Sequence, residues 1–195
     1  MEKSIDFWQI LVLLGTLQGL ILSVFLFTHK KGNRGLNRLF GAIIVVGSLE
    51  MGMNVLYTSN YILELPQFLG IDGPLGFVFP PLLYFYVRGI IDRPYKKKRY
   101  YFFHLIPALL VLWEYVEVLF WAAREERFNY LTQLLQGAYA EELVLWSAVF
   151  AIYNLIYAGM MIKLLIEHKK AAKETFSRRE KVNLGWLKKI VYSIT

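Results

Sequence analysis

The chain contains no cysteine, so disulfide bonds, thiolate nucleophiles and thiolate metal sites are excluded at the outset. Its three histidines, His29, His104 and His168, are far apart, and no His-Glu-x-x-His spacing or acidic cluster accompanies them, so no metal centre assembles from sequence. Glycine-rich phosphate loops, a nucleophile elbow and a helix-turn-helix pattern are also missing. Nothing therefore argues for an enzyme, and the residues imply no cofactor. Charge is scarce as well: 19 % of residues are charged, against roughly 25 % in soluble domains.

Apolar residues fill the space. Of 195 residues 56 % are hydrophobic and 16 % aromatic, with a positive mean hydropathy, more apolar surface than one small soluble core can bury. A hydrocarbon core about 30 Å thick needs on the order of 20 apolar residues in helix, because every backbone amide must be bonded within its own segment. Five stretches meet that length, at about 7–28, 39–58, 74–91, 101–121 and 143–166. The first is too long for a signal-peptide core and lacks a cleavage pattern, so it reads as an uncleaved span. The fold class expected is all-α, a polytopic transmembrane bundle forming a single domain over 1–195, with the lipid bilayer as its first partner.

The net charge of +7 is distributed by loop. Lysines and arginines number 19 in the alternate segments 29–38, 88–99 and 163 onward, against 3 in the segments between them. The positive-inside rule then puts the N-terminus outside and the C-terminus in the cytoplasm. Lys96, Lys97, Lys98 and Arg99 fix a short hairpin on the inner surface, where an anionic-lipid site is the functional alternative to plain topology. Tyr100, Tyr101 and His104 suit the interfacial aromatic belt. Pro107, one turn into the fourth stretch, and Pro80 with Pro81 in the third are expected to bend their helices, with neighbours or water bonding the freed carbonyls.

Past the fifth stretch, Ser177 and Glu180 form a capping-box pattern that opens another helix over 177–195. From Leu184 onward only about 18 Å of helix remains at 1.5 Å per residue, so this segment either lies on the inner surface or begins a sixth span.

Ionisable groups inside spans are costly and each is a functional hypothesis. Glu50 stands in the second stretch with Asn54 one turn later, and Glu114 and Glu117 share a face of the fourth. An interhelical hydrogen bond, or ligand or proton binding, would account for Glu50; solvation at the outer interface accounts for the other two. With Arg88 these residues form the candidate lining of a site: Glu50, Asn54, Arg88, Glu114 and Glu117. Gly15 and Gly19, with Gln18 beside them, make a Gly-x-x-x-Gly face for close packing and an interhelical hydrogen bond, within the bundle or in a homodimer.

Several segments, in order, resemble the membrane-embedded N-terminal half of AraC-type transcriptional regulators of Bacteroidota and related bacteria. LLGTLQGLILSVFLF followed by KKGNRGLNRLFGAII is similar to that family's first helix, basic loop and Asn-Arg-Leu opening of the second. LPQFLGIDGPLGFVFPPLLYFYVRGI looks like its outer loop and proline-marked third helix, YYFFHLIPALL like its His-x-x-Pro motif, and FSRREKVNLGWLKKI like the start of its sixth helix. The resemblance implies seven spans ahead of a cytoplasmic helix-turn-helix domain, so these residues would be a fragment that reaches DNA only through a missing C-terminal half. The function expected is a signal-sensing module responding to a small ligand or membrane signal. The alternatives are a transporter component, a small integral-membrane enzyme, or the sensor region of a histidine kinase.

Overall fold

In a computed structural model of the chain, residues 3–91, 99–116, 121–175, 189 and 192–193 are described. Among them every regular element is helical: α1 Phe7–Thr28, α2 Arg34–Thr58, α3 Asp72–Ile90, α4 Arg99–Phe103, α5 Ile106–Val116, α6 Arg124–Leu135 and α7 Ala140–Thr175, with short 3-10 turns at Tyr61–Leu63 and Pro66–Phe68. Helices α1, α2 and α7, and the apolar stretch Pro66–Ile90 that contains α3, are long and apolar enough to cross a membrane.

Helix starts are set by caps as well as by apolar length. The Asp6 carboxylate accepts from the Gln9 amide at 2.7 Å, and Gln9 Oε1 accepts from the Asp6 amide at 2.9 Å, a reciprocal cap that opens α1. Asn33 Oδ1 accepts from the amides of Gly35 and Leu36 at 3.0 and 3.2 Å. That cap starts α2 at Arg34, five residues ahead of the apolar stretch, its two hydrogen bonds to first-turn amides offsetting the cost of a basic residue at the helix start.

Prolines behave differently in α3 and α5. Helix α3 runs unbroken through Pro80 and Pro81, both buried. Pro81 has no amide hydrogen to offer the carbonyl of Phe77 four residues earlier. That carbonyl accepts instead from the hydroxyl of Tyr153 on α7 at 2.9 Å. The fourth stretch, expected as one helix over 101–121, is divided: the chain leaves helical geometry at His104 and Leu105 between α4 and α5. Pro107 is the second residue of α5, where its missing amide hydrogen would have had no intrahelical partner. By itself α5 is 11 residues long, short of a full crossing; residues 117–120 lie outside the described set.

Helix α6 arises in a stretch expected to be a loop. Glu126 Oε2 accepts from the Ala123 amide at 2.9 Å to close its first turn, and Leu131 on its inner face is fully buried. The expected helix over 177–195 falls outside the described residues, apart from Lys189, Tyr192 and Ser193, which are helical.

Helix α3 is the centre of the bundle, packed against α2, α5 and α7, while α1 lies chiefly on α2. Met53, Ile62, Leu69 and Leu131 form a core under α6 and the 3-10 turns, at what is here termed the capped end. Phe77, Ala108 and Val111 pack in the middle. Tyr84, Phe85, Val87, Tyr157 and Met161 pack toward the opposite, basic end, where Lys30, Lys31 and Arg34 lie. Outward faces remain apolar: Trp8, Ile21 and Phe25 on α1, Leu109 and Leu110 on α5, and Val144, Ile152 and Leu155 on α7 are exposed. A bilayer is the solvent that suits such a surface.

Candidate functional site

Among the described residues, a set of ionisable groups joins α2 to α3 near the capped end. Tyr57, in the last turn of α2, donates its hydroxyl to Asp72 Oδ1 at 3.2 Å and accepts from the Gly70 amide at 3.3 Å. Asp72 opens α3, where the positive end of the helix dipole favours a carboxylate. Glu50 lies two turns deeper on α2, half-buried, and close enough to Asp72 for their like charges to repel.

Glycine makes room for the Glu50 carboxylate. A Cβ built on Gly76 would stand 3.3 Å from Glu50 Oε1 and 3.2 Å from Cε2 of Phe150. Any side chain at position 76 would therefore press on both, and three helices meet at that point. A second close approach lies at Gly70, whose φ of +75° is left-handed and whose missing Cβ would fall 2.6 Å from Tyr115 Cδ1.

Of the five residues expected to line one site, the four that are described stand apart from one another. Asn54 is exposed, its carbonyl accepting from Thr58 Oγ1 at 2.9 Å, and among the described residues no hydrogen bond joins it to Glu50. The face of α2 that meets α3 carries Glu50 and leaves Asn54 outside. Arg88 belongs to the other end of α3, about 18 Å along the axis from Gly76. There its Nη1 donates to the Tyr84 hydroxyl at 3.1 Å, with the guanidinium 5.7 Å from that ring's centre. Glu114 is exposed on α5 in a cleft with Leu110, Trp113, Val116 and Trp146. Glu117 lies outside the described residues, as do Lys96, Lys97, Lys98 and the side chain of Arg99.

The Gly-x-x-x-Gly face splits in the same way. A Cβ on Gly19 would meet Ser48 Oγ at 2.1 Å, so this glycine lets α1 and α2 touch within the chain, whereas Gly15 faces open space. Gln18 is exposed and, among the described residues, makes no interhelical hydrogen bond. Gln9 does so instead, donating from Nε2 to Thr58 Oγ1 at 3.1 Å.

Asp72 is hidden in the sequence because 59–73 reads as a loop, and Tyr57 because it reads as one more aromatic in an apolar span. The spacing of Glu50, Asn54, Tyr57 and Thr58 at helical intervals was the available signal for Tyr57. At the basic end His104 Nδ1 and the Tyr157 hydroxyl share a hydrogen bond of 2.7 Å, which holds the break between α4 and α5 against α7. Comparison of the chain with models of protein families, with curated proteins and with solved structures finds no match.

Proposed function

We propose that this chain is the signal-sensing membrane module of a one-component transcriptional regulator, built on the plan that the AraC-type resemblance implies. In this reading five spans run through a bacterial inner membrane with the N-terminus outside, and the DNA-binding half lies beyond residue 195.

The observation that carries the reading is the Glu50 carboxylate set against Gly76 of α3, one turn beyond Asp72, whose own carboxylate accepts from the Tyr57 hydroxyl of α2. Ionised carboxylates in an apolar bundle cost several kcal/mol unless they are paired, hydrogen-bonded or protonated. A proton or cationic ligand taken up between them removes their repulsion and draws α2 toward α3. Gly76 connects that movement to α7, because Glu50 and Phe150 meet over it, 3.3 and 3.2 Å from where a Cβ would stand. From Phe150, helix α7 runs on to Thr175, about 38 Å, at the basic end, where an output domain would attach. A two-state bundle needs only a few kcal/mol of differential binding to switch.

The test begins with the genomic DNA downstream of codon 195, translated in frame. Two further apolar spans and a basic helix-turn-helix domain are expected. In that complete protein Glu50→Gln and Asp72→Asn should each lock a transcriptional reporter in one state while membrane levels stay unchanged. A reporter that still responds in both variants would remove the carboxylate pair from the mechanism.

A further inference from the structure

A second site lies away from the Glu50–Asp72 pair. Between α5 and α7 is an open cleft of about 510 Å³ lined by Leu110, Trp113, Glu114, Val116 and Trp146, within the size range of small-molecule sites. Leu110, Trp113 and Glu114 share one face of α5 by their three- and four-residue spacing, and Trp146 closes the cleft from α7. Trp113 is 75 % exposed and Trp146 40 % exposed, so both indoles remain open to a ligand.

The chemistry of the lining is selective. One carboxylate stands among two indoles and two aliphatic side chains, and among the described residues no lysine or arginine pairs with Glu114. Among the described residues the lining offers one carboxylate and no other side-chain oxygen. An organic ammonium needs no more: it takes charge from a single carboxylate, and its alkyl groups lie against aromatic faces that attract cations. The surroundings reinforce this preference. Although the chain is strongly basic overall, residues 121–143 hold two arginines against four glutamates. The capped end thus presents a negative field that concentrates cations near the cleft.

We propose that this cleft binds a quaternary or alkylated ammonium group, with Glu114 as counter-ion, Trp113 and Trp146 as cation-binding faces, and Leu110 and Val116 against the apolar substituent. The group can come from a free organic cation or from a lipid headgroup.

The experiment uses the full chain in maltoside micelles, with indole fluorescence followed during titration with phenyltrimethylammonium. Its neutral isostere tert-butylbenzene serves as control. Saturable binding of the cation at least about 10-fold tighter than the isostere is expected. Glu114→Gln should weaken it about 10-fold, equivalent to one charge contact. Trp146→Leu should weaken it about 2- to 5-fold, and Glu167→Gln, at the basic end of α7, should leave it unchanged. Competition by short-chain phosphatidylcholine but not phosphatidylglycerol would identify the headgroup as the source; indifference to both would identify a free cation. Equal binding of the isostere, or full affinity in Glu114→Gln with native circular dichroism, would overturn the proposal. The comparison of cation and isostere needs only the wild-type chain, so it decides even where a variant fails to fold.

Discussion

The Tyr153 hydroxyl donates to the carbonyl of Phe77 across the α3–α7 contact, at 2.9 Å. This is the carbonyl that Pro81 leaves without a donor from its own helix, so a sequence feature of α3 has its complement on a helix more than seventy residues away. Tyr153 also packs against the Phe77 ring, centroid to centroid 5.0 Å. Tyr153→Phe keeps that stacking and removes the donor, and should lower stability by about 1 kcal/mol. Pro81→Ala supplies an amide hydrogen to the same carbonyl. In that background Tyr153→Phe should cost measurably less, and a double-mutant cycle of unfolding in mixed micelles reads the difference. Equal costs in both backgrounds would separate the tyrosine from the proline.

Gly70 and Gly137 provide a controlled comparison. Both have left-handed φ, +75° and +83°, but a Cβ on Gly137 meets nothing within 4 Å, while one on Gly70 meets the Tyr115 ring. Gly137→Ala should therefore show the backbone cost alone, about 1 kcal/mol. Gly70→Ala should lose more and displace the Gly70 amide from the Tyr57 hydroxyl. Combining Gly70→Ala with Tyr115→Ala should recover the steric part relative to Tyr115→Ala alone. Thermal unfolding of the four proteins in one detergent measures each contribution.

How legible this fold was in sequence depended on which physical quantity decided each element. Apolar length alone reveals α1, α2, α3 and α7, because crossing a bilayer fixes that length. It cannot reveal the break at His104 and Leu105, where hydropathy stays high while the backbone changes direction ahead of Pro107. Nor does it show α6, whose arginines and glutamates mask the helical spacing of Phe128, Leu131 and Leu135. Glu50 was legible as a charge in an apolar run. Asp72 was not, since it begins its helix beside Gly70, Gly73 and Pro74 and reads as turn. Whether Asn54 joins Glu50 depends on the rotation of α2 against α3, which packing determines and one strand of sequence does not.

Gly19 and Gly15 should respond oppositely to alanine. Gly19→Ala places a methyl group against the short Ser48 side chain, which cannot swing far, and should loosen α1 from α2 by about 1 to 3 kcal/mol. Ser48→Ala removes the offending Oγ and leaves the next contact at 3.4 Å, so the double variant should regain most of the loss. Gly15→Ala, facing open space, should be neutral or slightly stabilising. Should Gly15→Ala change oligomeric state on analytical ultracentrifugation, that face serves a second copy of the chain instead of lipid.

Tyr130 on α6 reports the electrostatics of the capped end. Its phenol is raised above the ordinary tyrosine value of 10.0, first by burial and then by Tyr139, Glu142 and Glu114. A raised acid ionises more readily in the unfolded chain, so the stability it contributes is full below about pH 10 and is lost as pH rises past that value. Wild-type protein should therefore lose stability above about pH 10 faster than Tyr130→Phe, whose curve lacks this group. Ultraviolet titration of the phenolates checks the same point directly: the difference between wild type and Tyr130→Phe isolates one late-titrating tyrosine. Glu142→Gln removes part of the negative field and should move that step toward neutrality. A Tyr130 step at the ordinary value would mean that α6 leaves this phenol in water and that the negative field around Glu114 is screened.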